Sequence, residues 1–361
     1  MLDTHGICVR GENGQPLDWL FGYKVPKLGK ATTGYEWAIY TNEDEANPDP
    51  RAGAVKMATH HLDDLNFGAL VETLAVQLFG LDVAPTVGYV VWNDEHTDAS
   101  GQHDDGALGH TKGVIGFDTK SDTAFYLLHS WPKFPDPTAT AMPTPDYGQT
   151  FMALAVDMDT AGAMAEVMRH HHEPQITYSR LPDTLAADHP LRLLVESPVR
   201  HNDPASTCIE CYTLGGMKFL FFGKNREWNG DMWCGLVEPR LGVDLRVETW
   251  IRGPIAPVMS PDGHFRTFDV KSINLAPLGI PYSWPETADH AKWGISVDAK
   301  WIVVADINRQ TSQAKRGGGC VAFQSPRLGL ALAQTDVITA AAGMTHHEAK
   351  AVLKGTHPVK C

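Results

Sequence analysis

One segment is written twice in this chain, and the doubling limits what the chain can fold into. Residues 110–118 read His110-Thr111-Lys112-Gly113-Val114-Ile115-Gly116-Phe117-Asp118, and residues 290–298 read His290-Ala291-Lys292-Trp293-Gly294-Ile295-Ser296-Val297-Asp298. In each copy the Asp opens Asp-x-Lys, at Asp118-Lys120 and Asp298-Lys300. An apolar run then returns, Phe125 to Leu128 in the first copy and Trp301 to Val304 in the second. Strand, turn and returning strand recur together, which two chance His-x-Lys triplets would not do. Side chains at i and i+2 on a strand share a face. His110 should therefore project with Lys112, and His290 with Lys292.

The rest of the chain fits around two such hairpins. Its 361 residues exceed one average domain, so two lobes are expected. We place them at 1–180 and 181–361, because residues 180–204 are polar, broken by Pro and the best seam. Strands are expected at 10–28, 35–40, 85–93, 151–156, 217–222, 244–250 and 268–275. Helical spacing marks 66–79, 160–169 and the Ala-rich 330–342. Thr345-His346-His347-Glu348 has the form of a capping box and predicts a last short helix. Residues 41–52, 94–109 and the five-proline stretch 131–146 read as loops. The order, roughly repeated, predicts two α/β lobes of similar plan, each a central mixed sheet flanked by helices.

Charge and composition narrow the function. Apolar content of 43% supports a real core, and no apolar run is long enough to span a membrane. Met1-Leu2-Asp3-Thr4 does not open like a signal peptide, and a removed leader is left open. A net charge of −13 argues against a nucleic-acid binder at pH 7. Protonating all 17 histidines would carry the formal charge to +4, which points to an acid-active protein with an anionic substrate. The six cysteines form no framework, and Cys208-x-x-Cys211 lacks the flanks of a redox motif.

The doubled triplet carries the chemistry. Two lobes facing each other would bring two imidazoles and two ammoniums around one pocket. That set suits phosphodiester cleavage with no metal and no cofactor. One His attacks phosphorus, the other protonates the leaving oxygen, and Lys112 and Lys292 neutralise the phosphoryl oxygens. Asp118 and Asp298 are expected to hold the hairpin turns or to orient a group. After the second hairpin, Asn308 can donate to a phosphoryl oxygen or a catalytic His, and the run Gly317-Gly318-Gly319 lets backbone approach a ligand. Pro132 stands opposite Asn308 in the first copy, with His129, Ser130 and Lys133 as nearby polar substitutes.

In order along the chain, Gly14 to Trp19 with Tyr23-Lys24-Val25-Pro26, Gly109 to Gly113, His129 to Pro135, Tyr147-Gly148-Gln149-Thr150, Asp289 to Trp293, and Asp306 to Arg309 through Arg316 to Gly319 together resemble the deoxyribonuclease II family. The resemblance implies a phospholipase D-like fold whose pseudo-symmetric halves share one site. It implies an acid endonuclease that cuts double-stranded DNA without divalent metal and leaves 3′-phosphate ends. The catalytic set expected is His110, Lys112, His290, Lys292 and Asn308, with Ser130, Lys133, Arg309 and Arg316 on phosphate or DNA. Animal members are lysosomal and disulfide-bonded. Here Asp146 or Pro145, and Gly294, stand where the family has Cys, so neither property is carried over. An extracellular, periplasmic or acidic compartment is preferred to cytoplasm, and a homodimer is left open. The alternatives are a phospholipase D-like phosphodiesterase on a lipid or small substrate, and a disabled DNA-binding protein.

Other clusters read as structural. His170-His171-His172 and His346-His347-Glu348 lack His-x-x-x-His spacing. Trp131, Trp293 and Trp301 are expected in the core rather than against bases. Arg240, Arg246, Arg252 and Arg266 are candidates to line DNA in the second half.

Overall fold

The computed structural model describes residues 6–49, 53–95 and 108–338. Each copy of the doubled segment forms a hairpin, and each hairpin lies inside a large sheet. In chain order the strands are β1 (Val9–Arg10), β2 (Pro16–Leu17), β3 (Trp19–Lys24), β4 (Trp37–Thr41), β5 (Lys56–Met57), β6 (Val87–Trp92), β7 (Gly113–Asp118), β8 (Thr123–His129), β9 (Gln149–Asp157) and β10 (Ile176–Arg180). They continue with β11 (Ser206–Tyr212), β12 (Lys218–Lys224), β13 (Leu245–Glu248), β14 (Thr267–Asn274), β15 (Ser283–Pro285), β16 (Trp293–Ser296), β17 (Trp301–Ala305), β18 (Gly318–Gln324) and β19 (Asp336–Ile338). One sheet runs β10-β6-β7-β8-β9-β3-β4-β5, and the other β11-β12-β18-β17-β16-β13-β14-β15, with β19 also paired to β14. Among the described strands, β13 and β14 are the one parallel pair.

The two sheets share a plan. The series β6-β7-β8-β9-β3 in the first corresponds to β13-β16-β17-β18-β12 in the second. A helix follows each equivalent strand, Met158–Val167 after β9 and Pro326–Thr335 after β18. Asp157 caps the first of these by accepting from Thr160 N at 2.7 Å.

Alternation along the strands builds three apolar layers. Trp19, Phe21 and Tyr23 of β3, and Met152, Leu154 and Val156 of β9, face a central core that also takes Trp293, Ile302, Phe323 and both helices. Leu20, Phe151, Ala153 and Ala155 point the other way, into an outer layer with Leu74 and Trp131. Trp233, Val247 and Val303 form the corresponding layer outside the second sheet. Ring pairs stitch the halves across the central core, Trp19 with Phe323 at 5.5 Å and Tyr126 with Phe221 at 5.4 Å. Edge contacts of this kind add roughly 1 kcal/mol each beyond burial.

Some local expectations need correction. Residues 42–46 form a short helix rather than loop, because Thr41 and Asp44 make a reciprocal cap. The seam holds a helix, Pro190–Glu196, started by Pro190 and the His189 side chain. The first helix is a π-helix, Val71–Phe79, so α-helical spacing described it only approximately. The Ala-rich helix starts earlier, at Pro326, and ends at Thr335. The segment 345–348 and most of the loop after Glu95 lie outside the described residues. Cys8, Cys208, Cys211, Cys234 and Cys320 are all unpaired. No described helix is long and apolar enough to cross a membrane.

Candidate active site

The two His-x-Lys segments lie just ahead of β7 and β16, and backbone bonds from the opposite half hold each one. His110 N donates to Gly317 O at 2.9 Å, and His290 N donates to Gly148 O at 2.9 Å. Strand register makes Gly148 and Gly317 equivalent. Gln149 lies opposite Lys24 between β9 and β3, and Gly318 lies opposite Lys224 between β18 and β12. Lys292 N receives a further contact from the first half, donating to Thr150 Oγ1 at 3.3 Å. The triplets therefore meet in one buried site.

Electrostatics shows how close the groups come. Burial pulls Lys292 down to about 7, and the Lys112 charge adds to the pull, while Asp94, Asp306 and Asp289 oppose it. Burial and then the two lysines pull His290 down to about 3, with Arg252 and Lys24 acting in the same direction. His110 is also held well below its ordinary value, by burial and then Lys112. Burial pushes the Asp306 carboxyl up to about 7 against the pull of the Gly319 N–H, Lys112 and Lys292.

The half-sites differ in what surrounds each imidazole. The Asp306 carbonyl lies 2.5 Å from His110 Nδ1, so that nitrogen must donate and the neutral ring keeps its lone pair on Nε2. Asp94 lies on the Nε2 side at 3.6 Å, pairs with Lys112, and sits 3.4 Å from Arg316 Nη1. Burial alone would raise the Asp94 carboxyl, but Lys112, His110 and Arg316 hold it well below the carboxylate range. His290 has no such carboxylate. Its ring stacks on Tyr147 at 3.9 Å and 11°, and Trp250 covers it at 4.2 Å. Its Nε2 and the Oδ1 of Asn308 are buried and have no hydrogen-bond partner among the described residues. The preceding Asp289 is pinned by Tyr23 Oη at 2.5 Å, Trp284 Nε1 at 2.6 Å and Ala291 N at 2.8 Å.

Asp94 and Trp250 are missed in the sequence reading. Register shows that they are equivalent. Trp92 lies opposite Gly113 and Glu248 opposite Trp293, so each of the two follows its strand end by two. The useful signal is pairing register, which residue spacing alone does not supply.

The sequence of the chain now bears on these observations. The sequence profile of deoxyribonuclease II matches residues 8–339. The chain belongs to the deoxyribonuclease II family. A Burkholderia pseudomallei protein named "Putative deoxyribonuclease-2" is 44% identical, over 97% of this chain and 98% of its own. Caenorhabditis elegans deoxyribonuclease-2 is 31% identical, over 88% and 90%, and rat deoxyribonuclease-2-alpha is 26% identical, over 91% and 92%. Among solved structures, yeast tyrosyl-DNA phosphodiesterase is similar at a TM-score of 0.34 and 8% identity, over 69% of this chain and 85% of that one. As a deoxyribonuclease II family member the protein is a hydrolase and a nuclease.

Not every residue expected at this deoxyribonuclease II site faces the pocket. Arg309 is fully buried on Asp269 at 2.9 Å and on the carbonyls of Ala256 and Pro257, so it braces the fold and has no face for phosphate. Ser130 is buried and donates to Gln149 Oε1 at 2.6 Å. Lys133 lies in an outer groove with Leu74, Phe79 and Phe134, on the far side of the first sheet's apolar layer. Arg316 is at the site but donates to Leu108 O and Gly109 O as well as pairing with Asp94. The glycine run serves packing rather than ligand approach. A Cβ on Gly319 would meet Phe222 O at 1.9 Å and His172 Nε2 at 2.3 Å. Asp118 and Asp298 do hold their turns, accepting from Lys120 N at 3.0 Å and Lys300 N at 3.3 Å. Trp131 and Trp293 are core residues. His172 donates to Phe222 O at 2.8 Å, and His170 contacts His201 and Glu166.

Proposed function

We propose that the protein is an acid, metal-independent endodeoxyribonuclease that cuts double-stranded DNA through a phosphohistidine on His110. The observation that carries the reading is the unequal pair of imidazoles in one cationic pocket. Nδ1 donation to Asp306 O leaves His110 Nε2 as a neutral nucleophile. In the first step Nε2 bonds to phosphorus, the P–O5′ bond breaks, and the proton on His290 Nε2 moves to O5′. In the second step water attacks phosphorus and gives its proton back to His290. The P–N bond breaks and a 3′-phosphate leaves. Lys112 and Lys292 stabilise the equatorial oxygens, and Asn308 supplies an amide to the same group.

Acid pH fits two features of this site. Lys292 is cationic only below about 7, and His290 needs acid or a bound phosphate to hold its proton. The surface contributes less than the histidine count implies. His110, His129, His171, His172, His189 and His290 all titrate below the ordinary value, chiefly through burial.

The test is nicking of supercoiled plasmid in EDTA from pH 4 to 8, with acid-free quenching and mass spectrometry of the trapped adduct. The expected result is nicking that survives EDTA, falls above pH 7, and leaves phosphate on His110. An adduct on His290, or loss of activity in EDTA, would reverse the assignment. Lipid hydrolysis without nicking would favour the phosphodiesterase alternative.

A further inference from the structure

Two buried lysines outside the His-x-Lys triplets occupy equivalent places and do equivalent things. Lys24 ends β3 and Lys224 ends β12, and both are fully buried. Lys24 Nζ donates to Tyr147 O at 2.6 Å, Pro145 O at 2.8 Å and Val25 O at 3.3 Å. Lys224 Nζ donates to Arg316 O at 2.6 Å and Ala314 O at 3.0 Å. Among the described residues neither ammonium has a carboxylate in salt-bridge contact. Burying an ammonium on carbonyls and one ring face, Trp131 at 5.5 Å for Lys24 and Trp228 at 5.9 Å for Lys224, is costly, and the fold does it twice, once per half.

The shortest of these bonds in each half goes to the residue just before a glycine that grips a histidine. Tyr147 precedes Gly148, whose carbonyl accepts from His290 N, and Arg316 precedes Gly317, whose carbonyl accepts from His110 N. Each lysine thus gathers the turn that grips the histidine of the opposite half. Lys24 also fixes the residue whose ring lies flat on His290. Lys224 fixes the residue that pairs with Asp94. We propose that Lys24 is a positioning residue for His290 and Lys224 for His110, so that each lysine tunes one of the two histidines.

This rests on the roles proposed above for the two histidines, and a leaving-group comparison separates the two claims. The full-length variants Lys24→Met and Lys224→Met are assayed on a DNA duplex and on bis(4-nitrophenyl) phosphate, whose phenolate leaves without a proton. His110→Ala and His290→Ala are run beside them. On DNA each lysine variant should lose about 10- to 100-fold in kcat with KM within about twofold, the loss that a misplaced group gives. In the burst of 4-nitrophenolate release from the activated ester, which reads the first step alone and needs no acid, Lys24→Met should return to within about threefold of wild type, as His290→Ala does. Lys224→Met should stay low, as His110→Ala does. Equal losses of both lysine variants on both substrates, with His290→Ala still rescued, would overturn the positioning roles. Failure of the ester to rescue His290→Ala would instead overturn the histidine roles, and the lysine pairing with them. Should the Met variants not fold, Lys24→Gln and Lys224→Gln keep an amide donor and fill the same contrast.

Discussion

Replacing Asp94 with Asn removes the carboxylate that pairs with Lys112 and Arg316 in the first half-site. Its first effect falls on Lys292. That amine sits near 7 because burial and Lys112 pull it down, and Asp94 is the leading charge that holds it up. One unit charge acting across a pocket of effective dielectric near 20 is worth roughly 1–2 kcal/mol, or about one pH unit. Lys292 must be cationic to meet phosphate, and it is cationic below its pKa. The limb of the activity profile that Lys292 sets should therefore sit near pH 7 in the wild type and roughly one unit lower in Asp94→Asn. The variant should also lose roughly 3 kcal/mol of stability, since Lys112 and Arg316 are left without their counter-ion. Asp94's own linkage does not blur the measurement. Its folded pKa is depressed, so its contribution is complete above the unfolded value near 4 and erodes only below it. The assay is initial-rate nicking in EDTA from pH 4.5 to 8, with thermal denaturation in parallel. Asp298→Asn, at a half-exposed hairpin turn, should leave the limb in place. An unmoved limb, or one moved to higher pH, would refute the argument.

Three further substitutions test separate parts of the structure. Arg309→Ala removes the ion pair with buried Asp269 and should cost about 3–5 kcal/mol while KM for DNA barely changes; a raised KM with an unchanged melting temperature would return Arg309 to phosphate. Gly319→Ala drives a methyl into Phe222 O and His172, and should separate β18 from β12 at a cost of about 3 kcal/mol or more. Wild-type melting of that variant would show that the contact yields. Trp250→Ala uncovers His290, so the imidazole pKa should rise, carrying the alkaline limb of the kcat profile upward, with a loss of about tenfold in kcat from the freed ring. A limb that stays put would mean that Trp250 does not control the water around His290.

The sequence showed the hairpins well because their information is local. Strand alternation, the Asp-x-Lys turns and the His-x-Lys offset all lie within about twenty residues of each other, and the structure keeps them together. Asp94 and Trp250 follow strands whose only mark is an apolar run, and each becomes a site residue through pairing with the next strand along. Arg309 fails for a related reason. Its place in the resembling motif says nothing about Asp269, which is brought beside it by β14. The Gly run was read as open backbone, and only the neighbouring His172 and Phe222 reveal that it is crowded. What the sequence carries poorly is the identity of the neighbour across a sheet or across the two halves.

The differences between the halves fall at the positions where the proposed two-step phosphoryl transfer needs them. Two identical half-sites would titrate alike, and neither imidazole would be fixed as nucleophile or as acid. The shared frame supplies the common parts, namely a histidine gripped by a glycine carbonyl, a lysine beside it and a strand leading away. Role is then set at three equivalent pairs of residues. Asp306 stands opposite Ser130, since both donate their N–H to equivalent carbonyls of β18 and β9, and it is the Asp306 carbonyl that locks the His110 tautomer. Asp94 against Trp250 gives one imidazole a carboxylate and the other an aromatic cover. Arg316 against Tyr147 gives the first half a cation and the second a stacking face. An aromatic face favours a cationic ring over a neutral one, so the stacked His290 is suited to carry the proton once phosphate is bound. The locked His110 is suited to stay neutral until it attacks. The fold is doubled, and the chemistry depends on the few places where the doubling is broken.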